Sequence, residues 1–282
     1  MPDLMPKIGT AIALLILGLL LGTLAAAIVM VALGISLEDT VSIQSVLLAA
    51  ELLLPLPIIL HQRRWRAPIA RAFRLNPVPP SSLWPVAVFG VGLIMVTDEI
   101  DRLAQKVLPL PAEVINIQTI MVIRDWQSAL FIIGVVALLA PLAEELIFRG
   151  FLQRILEHRL RDVTRAVLIS ALIFAIIHFN PWWVIQIYLI GLFMGYFAWR
   201  SNSVWPGFIL HALNNGLAVL LVNSPDGWLA WYEWRGHVAP YMLLLAVGLM
   251  IYGMKRFNAA MPVAGRDQAV ILIEDYLDSS HG

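Results

Sequence analysis

Three short groups of polar residues lie inside long apolar stretches of this 282-residue sequence, at positions 144–149, 174–178 and 211–215. The first contains two adjacent glutamates and an arginine, and the other two contain His178 and His211, the only two of six histidines that fall within apolar stretches. A carboxylate and two imidazoles in a water-poor cavity can activate a water molecule and donate hydrogen bonds to an oxyanion. These residue types therefore suit the hydrolysis of an amide bond.

Helical spacing separates the roles of the two adjacent glutamates. Residues four apart share a helix face, so Glu145 is expected to pair with Arg149 and brace the helix. Glu144 lies five residues from Arg149, about 140° around the helix, and points elsewhere. Pro141, one turn earlier, removes a backbone hydrogen bond, which can kink the helix and make room for water.

The simplest assembly has one cavity between three helices, faced by Glu144, His178, His211 and Asn215. Glu144 is the candidate general base, and His178 is expected to help hold the water. His211 and the Asn215 amide are candidate hydrogen-bond donors to the oxyanion. The sequence has no cysteine, so thiol nucleophiles and thiolate metal sites are excluded.

The three groups, in this order and at intervals of about 33 residues, resemble the motifs of the CPBP intramembrane proteases. This CAAX protease and bacteriocin-processing family, also called Abi, includes the type II CAAX prenyl endopeptidases. The glycines Gly191 and Gly195 and the segment 205–215 resemble the region before the last family motif. The resemblance covers roughly residues 128–222.

The resemblance assigns roles residue by residue. It implies that Glu144 activates water, that His178 is its partner, and that His211 and Asn215 contribute to the oxyanion site. It also implies that Phe148 is an aromatic residue lining the pocket. Helical spacing adds Phe174, which is expected to lie beside His178.

The sequence leaves two forms of this chemistry open. Members of the family are often labelled metalloproteases, and a catalytic zinc ion usually has three protein ligands. If zinc takes part, the candidate ligands are His178, His211 and either Glu144 or Glu145. The same residues suit catalysis by glutamate without a cofactor, which we favour because the zinc motif His-Glu-x-x-His is absent.

Composition identifies the setting as a membrane. Only 13% of the residues are charged and 60% are hydrophobic, whereas soluble domains carry about 25% charged residues. The formal net charge is zero, so no nucleic-acid partner is expected. The expected partners are membrane lipids and a membrane-embedded or lipidated protein or peptide substrate.

The apolar stretches predict an all-α, polytopic helical bundle with about eight transmembrane helices. They lie near 8–37, 41–60, 84–97, 128–150, 165–181, 184–199, 205–222 and 238–254. We predict one transmembrane domain over 1–256, with its catalytic motifs within 128–222, and a polar cytoplasmic tail over 257–282. In the first helix, Gly18 and Gly22 are spaced to let another helix approach closely.

The basic residues orient the predicted spans. Fifteen of the 19 lysines and arginines fall in segments on the side of the N-terminus. The positive-inside rule therefore predicts that both termini are cytoplasmic. The expected location is the plasma membrane, as a multi-pass protein. The arginine clusters at 63–74 and 149–165 would determine topology and favour anionic lipids.

The predicted spans do not fully account for two intramembrane acids, Glu144 and Glu51. On straight helices Glu144 lies on the cytoplasmic side and His178 near the outer end of the fifth span, about 15 Å apart in depth. Glu51, in the second span, either pairs with a basic group or faces the cavity.

The leading hypothesis is an intramembrane endopeptidase with a cavity reached from the cytoplasmic side. The family resemblance implies prenylated CAAX-type tails as one class of substrate. The alternatives are a proton- or ion-coupled transporter and a non-catalytic bacteriocin-immunity or binding scaffold. Intramembrane carboxylates and histidines also build proton relays. The sequence contains no internal repeat of the kind common in transporters.

Overall fold

The computed structural model describes residues 5–35, 42, 46, 50, 53–64, 69–111, 121–225 and 227–261. Within this part of the chain nearly all regular structure is helical, with one short hairpin, which confirms the predicted all-α class. Nine residues of the predicted second span, Glu51 among them, and the tail beyond 261 lie outside the described residues.

The helices and strands follow in chain order. They are α1 (Ile8–Leu33), α2 (Leu56–Arg64), α3 (Ile69–Ala72), α4 (Pro80–Val107), α5 (Trp126–Leu160), α6 (Val163–Ile176), α7 (Val184–Ser201), α8 (Trp205–Val222), β1 (Glu233–Trp234), β2 (His237–Val238) and α9 (Pro240–Ala260). The last helix therefore continues four residues past the predicted end of the transmembrane domain.

Several helices have the length and surface expected of membrane spans. In the described residues α1, α4, α5, α8 and α9 are long and apolar enough to cross a bilayer. In α1 the mean hydropathy of the most apolar window is 2.8, yet only 17% of that window is buried. Leu20, Leu24 and Val31 of this helix are 62%, 57% and 84% exposed. Such surfaces suit contact with lipid, so the chain is an integral membrane protein.

Glycines set the closest helix contacts. A Cβ on Gly18 would clash with the Leu54 carbonyl, and one on Gly22 would lie 2.9 Å from the Ala50 carbonyl oxygen. The close approach predicted for these two glycines of α1 is thereby confirmed. The helices α4 and α9 meet in the same way at Gly253, whose Cβ would lie 2.6 Å from the Pro85 carbonyl oxygen.

We call one end of the bundle the basic end, formed by the start of α1, the α3–α4, α5–α6 and α7–α8 connections, and the end of α9. Hydrogen bonds join these segments: Arg159 Nε donates to Pro6 O (3.3 Å), Val204 N to Arg74 O (3.0 Å), and Arg200 Nε to Met261 O (2.9 Å). Nine of the 17 lysines and arginines in the described residues lie in these segments or within one helical turn of them.

We call the opposite end the cap end, after the cap, residues 227–239, which connects α8 to α9 and contains both strands. Arg102 Nη2 of α4 donates to Glu233 Oε1 of the cap (2.8 Å), and Tyr232 Oη of the cap donates to Asp98 Oδ2 of α4 (2.9 Å). At the same end of the bundle, Asn223 Nδ2 donates to Met121 O (2.9 Å). The cap is therefore tied to α4 by side chains on both sides.

Candidate active site

The first predicted group lies on α5, whose backbone changes register twice. Two π-helical segments, Ile133–Leu139 and Leu146–Leu152, enclose the α-helical turn Ala140–Glu145 that carries both glutamates. Such π segments inside α-helices are frequent at functional sites. The two register changes determine which way the glutamates between them point.

Pro141 explains a contact that the sequence did not predict. The N–H of Ala140 donates to Val135 O, five residues earlier, so the corresponding donor for Val136 O would be residue 141. Proline has no N–H, which leaves that carbonyl without a helical partner. Asn215 Nδ2 of α8 donates to Val136 O at 3.0 Å instead. Asn215 thus holds the altered register of α5 in addition to lining the cavity described below.

Glu144 faces both histidines. Its Oε2 atom lies 3.9 Å from His178 Nε2 and 3.7 Å from His211 Nε2, and it is buried without a hydrogen-bond partner. These separations exceed a direct hydrogen bond, but a water oxygen about 2.8 Å from each atom can bridge them. The structure therefore brings three of the four predicted catalytic side chains around one point.

Each histidine ring is held through its other nitrogen. His178 Nδ1 lies 2.7 Å from Phe174 O, and a carbonyl only accepts, so Nδ1 carries the hydrogen and Nε2 of the neutral ring is an acceptor. His211 Nδ1 lies 3.3 Å from Glu145 Oε1. With the Glu145 carboxylate ionised, this contact also makes His211 Nδ1 a donor.

Glu145 and Arg149 form a fully buried ion pair behind the site. Arg149 Nη1 donates to Glu145 Oε1 at 2.7 Å, and the two side chains are 1% and 0% exposed. The guanidinium also donates to Gly191 O at 3.3 Å and lies 4.2 Å from the centroid of the Phe174 ring. Phe174 therefore links this pair to His178, whose ring it contacts at 4.7 Å.

The buried polar side chains continue along α5 at the same four-residue spacing. Gln153 donates to Gly195 O at 2.9 Å and to Glu157 Oε1 at 2.8 Å, and Glu157 pairs with Arg74. The sequence analysis did not predict roles for these residues. The regular spacing of positions 145, 149, 153 and 157 is the signal that could have found them.

Gly207 on α8 is a second residue that the sequence analysis missed. A Cβ at this position would lie closer than 3.0 Å to Glu145 Oε2 and 3.5 Å from Met194 O. Only a glycine lets α8 approach this closely, and His211 follows one turn later on the same helix. The distance between His211 and the glutamates thus depends on Gly207.

The predicted depth difference between Glu144 and His178 is wrong, because α5 continues to Leu160, ten residues past the predicted end of the fourth span. The helix α6 runs from Val163 to Ile176, and His178 lies in the turn beyond it. Counted from the connection between α5 and α6, Glu144 and His178 lie about 24 Å and 23 Å along antiparallel helices. The two residues therefore meet at the same depth.

A cavity of about 740 Å³ extends from these residues to the cap end. Its walls are mainly apolar side chains of α4, α7 and α8, and its size is ordinary for a ligand-binding site. The polar side chains lining it are Asp98, Arg102, Glu144, His178, Gln186, His211, Asn214, Asn215 and Tyr232. The deepest part of the cavity thus contains all four predicted catalytic residues.

Comparison with known protein families identifies one family model that matches part of the chain. Residues 126–217 match the family model described as Type II CAAX prenyl endopeptidase Rce1-like. The match spans all three polar groups and confirms the resemblance predicted from the sequence. No curated protein and no solved structure matches the chain.

Within this Rce1-like segment the predicted position of Phe148 needs correction. Its side chain is 1% exposed and is not among the cavity-lining residues. It packs behind Phe174, with the two ring centroids 5.1 Å apart, and Phe174 forms the cavity wall. Phe148 therefore supports the wall from behind.

The residues of the Rce1-like segment do not match a zinc site in this arrangement. Among the described residues no group of three or more His, Asp or Glu side chains is placed to hold a metal ion.

Proposed function

We propose that the protein is an intramembrane endopeptidase in which Glu144 activates the attacking water. The observation that carries this proposal is the buried, unpartnered Glu144 Oε2, which faces His178 Nε2 and His211 Nε2 at 3.9 and 3.7 Å. The family match at residues 126–217 supports a CAAX-type intramembrane endopeptidase in general.

The hydrogen-bond roles follow from the two ring orientations. Ionised Glu144 and neutral His178 both accept, so a water between them donates one hydrogen to each. The water oxygen then attacks the carbonyl carbon of the peptide bond, and Glu144 takes its proton. As the C–N bond breaks, that proton passes to the leaving amine.

His211 is the proposed donor to the oxyanion. Glu145 Oε1 lies 3.3 Å from its Nδ1, which leaves Nε2 facing the cavity, and Nε2 donates to the oxyanion when the ring carries both protons. Asn215 uses one amide hydrogen on Val136 O. Its second amide hydrogen remains a candidate oxyanion donor, which keeps the role that the sequence predicted for it.

The proposed substrate is a membrane-associated protein or peptide, and the family match makes a prenylated CAAX-type tail one form to test. The proposed reaction uses no metal ion. Elemental analysis of pure, active protein tests this, because stoichiometric zinc that is lost together with activity would contradict it.

The test of the proposed function is Glu144→Gln, which keeps the side-chain volume but removes the base. We expect cleavage to fall at least about 100-fold with folding intact, as is typical when a general base is lost. Glu233→Gln is the matched control, since the Glu233 side chain is 47% exposed. New N-termini in membranes carrying wild type or variant, mapped by mass spectrometry, provide the measurement.

The same variant separates the alternatives. A binding or immunity scaffold keeps its function in Glu144→Gln, and a transporter loses substrate flux with no change in the N-termini. Either outcome would refute proteolysis.

A further inference from the structure

The cavity leads from the candidate active site towards one end of the bundle. Beyond the catalytic residues it is lined by Asp98 and Arg102 near the end of α4 and by Trp228 and Trp231 of the cap. Trp228 and Trp231 are 49% and 57% exposed, so the lining reaches the protein surface at the cap end.

The side of the site that faces the basic end is closely packed. Below Glu144 the described side chains Glu145, Phe148, Arg149 and Gln153 are each at most 1% exposed. Gly191 and Gly207 let α7 and α8 close against this layer, since a Cβ at either position would come within 3.4 Å of Arg149 or Glu145. A substrate that approaches from the basic end would have to displace a buried ion pair.

The charge distribution orients this asymmetry in the membrane. Short connections rich in lysine and arginine stay cytoplasmic, and here they form the basic end. At the cap end, Arg102 is paired with Asp98 and Glu233, at 3.1 and 2.8 Å. The cap end therefore belongs on the non-cytoplasmic side.

We propose that the substrate enters the cavity from the non-cytoplasmic face and is an extended, apolar segment of an exported or membrane-anchored polypeptide. The proposal rests on the proposed function. It replaces the cytoplasmic access expected from the sequence, because the cavity extends from Glu144 away from the basic end. A prenylated tail on the cytoplasmic face would meet the packed basic end.

The walls of the cavity indicate the kind of segment. They are formed by residues such as Ile94, Met95, Ile187 and Leu217. A cavity of about 740 Å³ has room for a few side chains of an unfolded peptide but none for a folded domain.

Thiol labelling tests the side of access without depending on activity. The sequence has no cysteine, so each single-cysteine variant reports one position. Ala218→Cys lies in the cavity wall, Ala230→Cys on the cap, and Thr164→Cys is exposed near the basic end. The probe is a membrane-impermeant, positively charged methanethiosulfonate, applied to right-side-out and inside-out vesicles.

We expect Ala218→Cys and Ala230→Cys to react in right-side-out vesicles, and Thr164→Cys only in inside-out vesicles. The proposal is overturned if Ala218→Cys reacts only from the side that labels Thr164→Cys, or if Ala230→Cys reacts only in inside-out vesicles. Both outcomes leave the proposed proteolysis intact.

Mapped cleavage sites test the substrate class. Cleavage sites that are found in wild-type membranes and are absent from Glu144→Gln membranes are expected to lie in non-cytoplasmic apolar segments. Sites confined to cytoplasmic tails overturn this inference alone, whereas the loss of no site at all overturns the proposed function and, with it, the inference.

Discussion

The substitution Gly207→Ala should separate the catalytic residues without removing any of them. Its Cβ would lie closer than 3.0 Å to Glu145 Oε2 and 3.4 Å from Cδ of the same side chain. Normal contact requires about 3.5–4.0 Å, so α8 must move by roughly 1 Å. The carboxylate itself cannot easily yield, because Arg149 holds it at 2.7 Å.

The displacement changes the site because His211 lies one turn after Gly207. It lengthens the 3.7 Å separation between His211 and Glu144 and weakens the proposed oxyanion contact. A misplacement of about 1 Å can lower a rate about 100-fold. Overpacking costs about 1–3 kcal/mol of stability, partly offset by about 1 kcal/mol from the better helix propensity of alanine.

The assay is cleavage of a quenched-fluorescent peptide built on a mapped site, with thermal unfolding measured in the same detergent. Gly216→Ala is the matched control, since it makes the same change on the same helix and its Cβ would lie 4.0 Å from that of Ala137. We expect the control to keep its activity. If Gly207→Ala cleaves as fast as Gly216→Ala, the spacing of α8 and α5 does not set the catalytic geometry.

Two further predictions concern the supports of the site. Arg149→Met leaves the Glu145 charge buried and unpaired, so we expect chemical unfolding to show a loss of about 3–5 kcal/mol of stability. The control is Arg165→Met, whose side chain is 75% exposed in wild type, and it should change the stability little. Equal effects of the two variants would contradict a buried ion pair. Burial and the neighbouring Asp98 raise the pKa of Tyr232 above its usual value near 10, so the stability that Tyr232 contributes is present below pH 10 and lost as the pH rises further. The pKa of Tyr232 is measured as the difference between the ultraviolet pH titrations of the wild type and of Tyr232→Phe. A value of 10 for this difference titration would refute the prediction.

Much of the site follows from sequence spacing. The scarcity of charge restricts the candidates to a few intramembrane polar residues, and the four-residue spacing of Glu145 and Arg149 predicts their pair on one helix face. The family resemblance is likewise carried by local motifs, and it is confirmed over 126–217. These features are local, so no tertiary information is needed to find them.

Other features depend on how the helices meet. The position of Phe148 behind Phe174 and the contact of Gly207 with Glu145 arise between different helices, and hydropathy carries no information on either. The relative depth of Glu144 and His178 depended on where α5 ends, at Leu160, which an apolar pattern does not determine.

The sequence by itself determined that the chain spans a membrane, which polar residues lie inside it, and which end of the bundle is basic. These properties depend only on the composition of the chain and on the spacing of residues along it. Only the tertiary structure decided that Glu144, His178 and His211 converge, and that the cavity they line extends to the cap. Convergence requires the relative depth and rotation of separate helices, which glycine contacts and buried hydrogen bonds set through space.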